Sequence, residues 1–509
     1  MNARALLTTV LSVSASLALA GCCWGPNAKT SGTADAAAAE AVAEAAAPAE
    51  AAWPAMPTPG PAPEFSVPES TSFTLANGIP VTLVTTGAVP LVEMRLHVGA
   101  GSAADPVGKE GLAAVTADML NEGAGEMNAL DLEQALQRLA SDVSLGASLD
   151  NNVVRINSLE DKLEPTLELV LSMLGSPTLA QADLDRVIED RKRSLLSSKD
   201  DLPTVGTRVG KKLVFGDSYI GRPGGGNEES LSALTRGDVV KWHMNDWAPA
   251  NTSLVVVTRM DEATLKPILD ATVGTWAADP KSKAPVVEVA PVEPQKGVTV
   301  YWVDKPGASQ SFLLLGNAAP AFDPATHDLR ILGNHPIGGN FTARINMNLR
   351  EDKGYTYGAR SGFRAYRQGG YFAATSSVRA DVTAASITEF LKEIRGALGD
   401  VPITDEEHGR SVGAMVQAEP GSYERMASVL SQFATADALG YPEGHLQGKS
   451  ARIAAITREQ AQAAYAEVVS GDDLMILVVG DRAVAGPAVE DLGLGAIVAV
   501  DDEGNLLEE

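Results

Sequence analysis

The stretch LTRGDVVKWHMNDWAPANTSLVVV, residues 234–257, predicts a helix, a short polar turn and a buried strand. Thr235-Arg236 stands where the helix begins, and the stretch ends in a continuous apolar run rich in valine. Residues 456–479, ITREQAQAAYAEVVSGDDLMILVV, repeat this succession, with Thr457-Arg458 at the corresponding place. Ordinary α/β patterning would explain part of this similarity, but the shared Thr-Arg entry and the similar spacing favour duplication. The sequence therefore predicts an α+β fold of two homologous domains.

A proline-rich linker separates the two predicted domains. We place the first domain at residues 66–280, the linker at 281–295, the second domain at 296–490 and an acidic tail at 491–509. Residues 72–84 predict a hairpin because Asn-Gly joins two alternating apolar runs, and residues 91–98 continue as a third strand. Helical periodicity follows at 111–120, 131–139, 163–174 and 183–199.

The amino terminus has the pattern of a bacterial lipoprotein. Residues 1–22 combine a basic start, an apolar run and Leu19-Ala20-Gly21-Cys22, which resembles a lipobox with Cys22 as the lipidated residue. A plain signal peptide cut near Ala20 is the alternative. Residues 23–65 are rich in Ala, Pro and Glu and predict a disordered tether. We therefore expect a lipid-anchored protein of the bacterial cell envelope. Cys23 is not the Asp of the inner-membrane retention signal, which favours the outer membrane, facing the periplasm.

Charge and cysteine content narrow the possible partners. The formal charge of −25 argues against nucleic acid, whose phosphates would be repelled. The only two cysteines are Cys22 and Cys23, so no disulfide framework holds the fold together.

A second informative stretch is GGNFTARINMNLREDKGYTYG, residues 338–358. Gly338-Gly339 predicts a tight turn that tolerates left-handed backbone. Phe341, Ile345 and Leu349 are spaced i, i+4 and i+8, which predicts one buried face of a short amphipathic helix. The β-prone residues that follow predict a strand.

This stretch resembles the carboxy-terminal domain signature of the insulinase, pitrilysin and mitochondrial processing peptidase family. Further motifs of that family occur in order, among them Arg222-Pro223, Pro249-Ala250-Asn251 and Asp304-Lys305-Pro306. The resemblance implies two α+β domains that together form half of a clam-shell chamber for unfolded peptide.

The resemblance also implies roles for residues of the stretch. In paired bacterial members of the family, an Arg and a Tyr seven residues later bind the substrate backbone and stabilise the tetrahedral intermediate. Arg350 and Tyr357 stand at those positions. The glycine loop, Gly338-Gly339 with Asn340 and Phe341, is then expected to bind substrate.

The zinc motif of the family is degenerate in this chain. Family zinc peptidases carry HxxEH on a helix, with two His ligands and a catalytic Glu. The alignment through Gly111-Leu112-Ala113 puts Ala114 and Asp118 at the His positions and Ala117 at the Glu position. The third, acidic ligand is expected near residues 194–195, where no carboxylate stands. We therefore expect no metal or other cofactor in this chain.

These observations predict a non-catalytic subunit of a heterodimeric zinc metallopeptidase. A partner subunit would carry HxxEH and zinc, and this chain would supply Arg350 and Tyr357 in trans for the proteolysis of unfolded peptides. A structural or scaffolding homologue, similar to the core subunits of respiratory complexes, is the second interpretation. A peptidase active by itself is the third.

Overall fold

The computed structural model describes residues 65–277 and 295–507, together with positions 283, 285–287, 289 and 292. The lipobox, Cys22 and nearly all of the predicted tether lie outside the described residues, so both stay predictions. Within the described part of the chain, no helix is long and apolar enough to cross a membrane.

The first half of the described chain is a six-stranded sheet with helices packed on it. The strands are β1 Ser70–Thr74, β2 Pro80–Thr85, β3 Leu91–Val98, β4 Gly123–Ala124, β5 Met127–Asn128, β6 Asp142–Ala147, β7 Asn152–Leu159 and β8 Thr252–Thr258, of which β4 and β5 pair separately. The helices are α1 Leu112–Met119, α2 Ala129–Arg138, α3 Leu163–Gly175, α4 Gln181–Ser198, α5 Leu202–Phe215, α6 Glu228–Ser232, α7 Arg236–Asp246 and α8 Glu262–Ala271.

The second half is a further six-stranded sheet with its own helices. The strands are β9 Thr299–Asp304, β10 Gln310–Ala319, β11 Thr356–Tyr366, β12 Gly369–Arg379, β13 Met475–Gly480 and β14 Ile497–Ala499. The helices are α9 His327–Asn334, α10 Arg344–Asn346, α11 Thr383–Leu398, α12 Asp405–Ala418, α13 Met426–Leu439, α14 Lys449–Ala455, α15 Arg458–Val468 and α16 Arg482–Glu490.

The two sheets have corresponding strand orders. The first runs β1-β2-β8-β3-β7-β6 and the second β14-β9-β13-β10-β12-β11. In each sheet a late strand, β8 or β13, lies parallel to the early strand on one side and antiparallel to the strand on the other. The predicted α+β fold with two homologous halves is confirmed.

Equivalent capping boxes begin the helices that the repeat predicts. The Thr235 hydroxyl accepts from the backbone N of Asp238, and the Asp238 carboxylate accepts from the backbone N of Thr235 at 2.9 Å. Thr457 and Gln460 make the same reciprocal pair at the start of α15, again with a 2.9 Å return bond. The shared Thr-Arg entry is therefore a helix cap, because each Thr satisfies a backbone donor that the helix leaves free.

The central strands β8 and β13 are buried on both faces, which explains why their sequences are continuously apolar. Alternate residues of β8 face the helices of the first half, and the others pack against α13 of the second half. In the same way, one face of β13 meets the core of the second half, and the other packs against α5 of the first half. Each half thus sends one helix to cover the sheet of the other.

Close approach at these two crossings joins the halves. On α5, Gly206 lies against the Phe312 ring, and a Cβ added at Gly210 would stand 2.8 Å from Leu314 Cδ1. At the other crossing, Asp437 of α13 lies 2.7 Å from His97 Nδ1 and accepts from the Ser253 hydroxyl at 2.6 Å. A side chain at Gly206 would overlap the Phe312 ring, and one at Gly210 would require Leu314 to move, so glycine permits α5 to lie close to the second sheet.

The predicted acidic tail, residues 491–509, includes a structured segment. β14 lies parallel to β9 at the edge of the second sheet, and Val500 forms a bridge with Leu506. The Asp501 carboxylate accepts from the backbone N of Glu503 at 2.9 Å and of Asn505 at 2.8 Å, which closes the turn between them.

Candidate functional site

The stretch 338–358 begins with a loop that packs closely on β11. A Cβ at Gly338 would stand 2.5 Å from the backbone N of Ser361, so only glycine fits there. Neither Gly338 nor Gly339 has a positive φ. The left-handed backbone that these glycines would tolerate is therefore not used, and close approach to the strand is the reason for glycine at position 338.

Asn340 holds the glycine loop in shape. Its side-chain amide donates to the backbone O of His335 at 2.8 Å, and its side-chain oxygen accepts from the backbone N of Thr342 at 2.8 Å. These bonds occupy both ends of the amide, so Asn340 contributes to the loop by fixing its conformation.

The predicted helical face is only partly correct. Ile345 and Leu349 are fully buried in the core of the second half, but the Phe341 side chain is 59% exposed. The reason is that the backbone at Asn340 is extended and α10 begins at Arg344, so Phe341 precedes the helix. Beyond α10 the chain continues in wider, π-helical turns from Met347 to Asp352.

Arg350 projects from these turns onto the ring of Phe341. Its guanidinium carbon lies 4.6 Å from the ring centroid, and its Nε lies 3.4 Å from a Glu351 carboxylate oxygen. Cation–π contact of this kind at an exposed site contributes about 0.5–1 kcal/mol. Phe341 therefore orients Arg350, whose side chain remains 37% exposed.

Tyr357 is 92% exposed on β11, the edge strand of the second sheet. The pairing of β11 with β12 is irregular between Thr356 and Ala359, which takes Tyr357 out of the regular ladder. No hydrogen bond within the described chain joins Tyr357 to Arg350. Both side chains are accessible to a molecule outside this chain.

The degenerate zinc positions lie on α1, and Arg191 of α4 reaches them. Ala114 and Ala117 are buried, whereas Asp118 is part-exposed. Arg191 Nε donates to the Asp118 carboxylate at 2.6 Å, and its Nη2 donates to the backbone O of Ala114 at 2.9 Å. One guanidinium thus bridges the two residues that align with the family's His ligands.

These residues do not fit a zinc ion. Ala114 and Ala117 carry no ligating side-chain atom, and a catalytic zinc site needs three protein ligands. Residues 194–195, expected to hold the third ligand, line the same 510 Å³ cavity as Asp118 and Arg191, but they are Ser and Leu. The described residues contain no cluster of three or more His, Cys, Asp and Glu side chains that could hold a metal. The positive charge of Arg191 also disfavours a second cation beside it.

Arg191 was not identified from the sequence. Its position, one helical turn before residues 194–195, was the available signal, because residues three and four apart share a helix face. A basic residue one turn from a missing acidic ligand is a candidate replacement for the metal's charge.

Two buried carboxylates fix the loop that leads into α1. Asp105 accepts from the backbone N of Gly111 and of Ala113, both at 2.8 Å, and burial raises its pKa to about 7. Asp246 accepts from the backbone N of Ala100 at 2.9 Å and from Asn152, and burial raises its pKa to about 6. Asp105 thus fixes the start of α1, which carries the degenerate metal positions, and Asp246 joins the start of the loop to β7.

Two domain models of one protein family match this chain. Residues 81–202 match the description "Insulinase (Peptidase family M16)" and residues 233–415 match "Peptidase M16 inactive domain". The first range contains Ala114, Ala117 and Asp118, and the second contains Arg350 and Tyr357.

Individual proteins are similar over different shares of the chain. An uncharacterized zinc protease of Mycobacterium leprae is 24% identical over 339 residues, which cover 64% of this chain and 73% of the relative. A non-peptidase homolog of Helicobacter pylori is 22% identical over 161 residues, 32% of this chain and 37% of that protein. The crystal structure of a peptidase M16 inactive domain from Pseudomonas fluorescens matches 81% of this chain and 98% of its own, with a TM-score of 0.75 at 23% identity. At this low sequence identity, the structural similarity shows a shared fold only.

Proposed function

The chain belongs to the insulinase family, peptidase family M16, and we propose that within this family it is the non-catalytic subunit of a heterodimeric zinc metallopeptidase. The partner subunit would carry the HxxEH motif, and the substrates would be unfolded peptides. The match of the second half to the family's inactive domain supports a peptidase homologue without activity of its own.

The observation that carries the proposal is the contrast between the two sites. At the degenerate zinc positions, Arg191 of the same chain donates to the Asp118 carboxylate and to the backbone O of Ala114. Arg350 and Tyr357, in contrast, are accessible to another molecule. A chain that keeps its substrate-binding donors while its metal site is replaced by an ion pair is suited to act on a reaction centre supplied by a partner.

In the proposed complex, zinc bound by the partner's HxxEH site supplies the hydrolytic chemistry. Arg350, held by the Phe341 ring, donates hydrogen bonds to carbonyl oxygens of the bound peptide. The phenolic O–H of Tyr357 donates a hydrogen bond to the oxyanion that develops at the scissile carbonyl. Because a hydrogen bond to a developing charge is stronger than one to a neutral carbonyl, Tyr357 would act mainly on turnover.

We also propose that a lipid on Cys22 attaches the complex to the outer membrane of the cell envelope, on the side that faces the periplasm. The lipobox-like Leu19–Cys22 and the composition of residues 23–65 support this proposal.

The proposed function is tested by purifying the chain from its native membrane and reconstituting it with the co-purified HxxEH protein. Tyr357→Phe should lower kcat by roughly tenfold to a thousandfold with a smaller change in KM, since it removes one oxyanion donor. Arg350→Ala should weaken both parameters, because the guanidinium also holds ground-state carbonyls. Tyr355→Phe, the same chemical change two residues away, is the matched control and should leave both parameters unchanged.

Size-exclusion chromatography must show that each variant still forms the complex. Unchanged kinetics in intact complexes of both Tyr357→Phe and Arg350→Ala would refute the trans-acting role and leave the scaffolding interpretation. Failure to recover any HxxEH protein with the chain would refute the heterodimer.

A further inference from the structure

Three adjoining cavities of 550, 450 and 510 Å³ form a continuous cleft beside the degenerate metal positions. Leu195 of α4 and Arg208 of α5 line all three, and the glycine-rich segment 221–226 borders them. We call this the α4–α5 cleft. Leu196, 68% exposed, lies at its mouth, so the cleft opens to solvent.

The α4–α5 cleft has a charge opposite to that of the chain. Nine Lys and Arg side chains and six Asp and Glu side chains line it, an excess of three positive charges, although two of these basic side chains, Lys212 and Arg222, also pair with Asp217 and Glu110 outside the lining. The chain as a whole carries −25. A concave surface lined mainly by charges of one sign focuses the electrostatic field. The cleft therefore attracts anionic groups that the rest of the surface repels.

Two of the basic side chains on α5 have no carboxylate partner among the described residues. Arg208 donates to the backbone O of Asp502 and to the Ser198 hydroxyl, and Lys211 lies 5.7 Å from the centroid of the Tyr366 ring. No carboxylate of the described residues therefore neutralises their positive charges.

Asp502 and Glu503 of the same chain contact polar and basic side chains of the cleft. Arg208 donates from Nε at 3.1 Å and from Nη2 at 2.8 Å to the backbone O of Asp502. The Asp502 carboxylate lies 3.2 Å from Lys199 Nζ, and the next residue, Glu503, accepts from Asn227 Nδ2 at 3.3 Å. Here guanidinium binds a peptide carbonyl while ammonium and amide groups bind acidic side chains.

We propose that the α4–α5 cleft binds acidic peptide segments, and that the Asp502–Glu503 turn occupies one end of it as an internal ligand. The basic side chains would hold the Asp and Glu residues of the peptide, and Leu195 and Leu196 would contact its apolar residues. The inference rests on the proposed function for the ligand being a peptide, and it adds a preference for acidic substrates.

The test uses the full chain without any partner and two labelled, unstructured peptides, measured by fluorescence anisotropy. One peptide consists of Glu, Leu and Gly, and the other has Lys at every Glu position. Non-specific attraction to a chain of charge −25 would favour the Lys peptide. We expect the Glu peptide to bind more tightly, with an affinity that falls as salt is raised.

Lys192→Glu provides the decisive variant because it reverses a charge in the cleft. Lys192 lies 3.4 Å from Glu189 in an i,i+3 pair on α4, and Lys392 lies 3.2 Å from Glu389 in the same arrangement on α11, away from the cleft. Lys192→Glu should weaken binding of the Glu peptide by about tenfold. Lys392→Glu changes the net charge equally and should have little effect.

A second variant should change the affinity in the opposite direction. Asp502→Asn removes the carboxylate beside Lys199 but keeps the backbone O that Arg208 binds, so it should tighten binding of the Glu peptide severalfold. Tighter binding of the Lys peptide, or equal losses in Lys192→Glu and Lys392→Glu, would overturn the proposal. Binding of the Glu peptide by a chain that fails to support proteolysis with a partner would leave this inference standing and refute the proposed function instead.

Discussion

Replacing Gly206 with Ala tests whether α5 of the first half packs on the second sheet as closely as the structure shows. Two effects of the substitution oppose each other. In a helix interior, Ala is more favourable than Gly by about 0.8–1 kcal/mol. At Gly206, however, the new methyl would overlap the Phe312 ring, well inside the contact distance of about 3.5–4.0 Å between carbon atoms.

The magnitude follows from a comparison with Gly413, in the interior of α12. A Cβ there meets nothing within 4 Å, so Gly413→Ala should stabilise the protein by the helix term alone. Overpacking of a buried site costs about 1–3 kcal/mol. Because the helix term is common to both, Gly206→Ala should be less stable than Gly413→Ala by about 1–3 kcal/mol.

The assay is urea unfolding followed by circular dichroism, with limited proteolysis of residues 199–201 between α4 and α5 as a second readout. Gly206→Ala should have a lower midpoint than Gly413→Ala and faster cleavage at that segment. If the two variants are stabilised equally, α5 does not contact Phe312 closely, and the reciprocal packing of the two halves is wrong.

Three further predictions concern metal, pH and the membrane. The purified chain should hold no stoichiometric zinc after dialysis, and Arg191→Ala should not change this, because Ala114 and Ala117 offer no ligands; one tightly held zinc per chain, by metal analysis, would contradict our account of the site. Burial raises the pKa of Asp105 to about 7 and that of Asp246 to about 6, so the folded state favours the protonated form of each group. The resulting contribution to the free energy of unfolding is fully present below about pH 4 and is lost as the pH rises to about 7. Each group should contribute a slope of at most about 1.4 kcal/mol per pH unit in the free energy of unfolding, and Asp105→Asn should flatten the dependence measured by urea titration at several pH values. Cys22→Ser should release the protein from the membrane fraction or leave an unprocessed precursor, and unchanged processing and fractionation would exclude lipid as the anchor.

The sequence alone was sufficient for the local elements and for the family. β3 lies at the predicted residues 91–98, and the repeat centred on Thr235 and Thr457 appears as two equivalent capping boxes. These features are readable because strand alternation, helix caps and Asn-Gly turns depend on residues close together in the chain. An alignment with HxxEH is also enough to show that Ala114 and Asp118 stand where the family has its His ligands.

The tertiary structure decided which surfaces meet. The apolar runs of β8 and β13 predict burial but do not say that α13 and α5 cross over to cover them. Periodicity predicted a buried Phe341, whereas the extended backbone before α10 exposes the ring beneath Arg350.

The same holds for the charged contacts that define the two sites. Asp118 and Arg191 are 73 residues apart in the chain, and Arg208 and Asp502 are 294 apart. A charged residue in a sequence has many possible partners, and its pairing depends on how whole elements pack. The sequence therefore determined that the family's metal ligands are missing. Only the folded chain determined that the Arg191 guanidinium lies at those positions and that a basic cleft adjoins them.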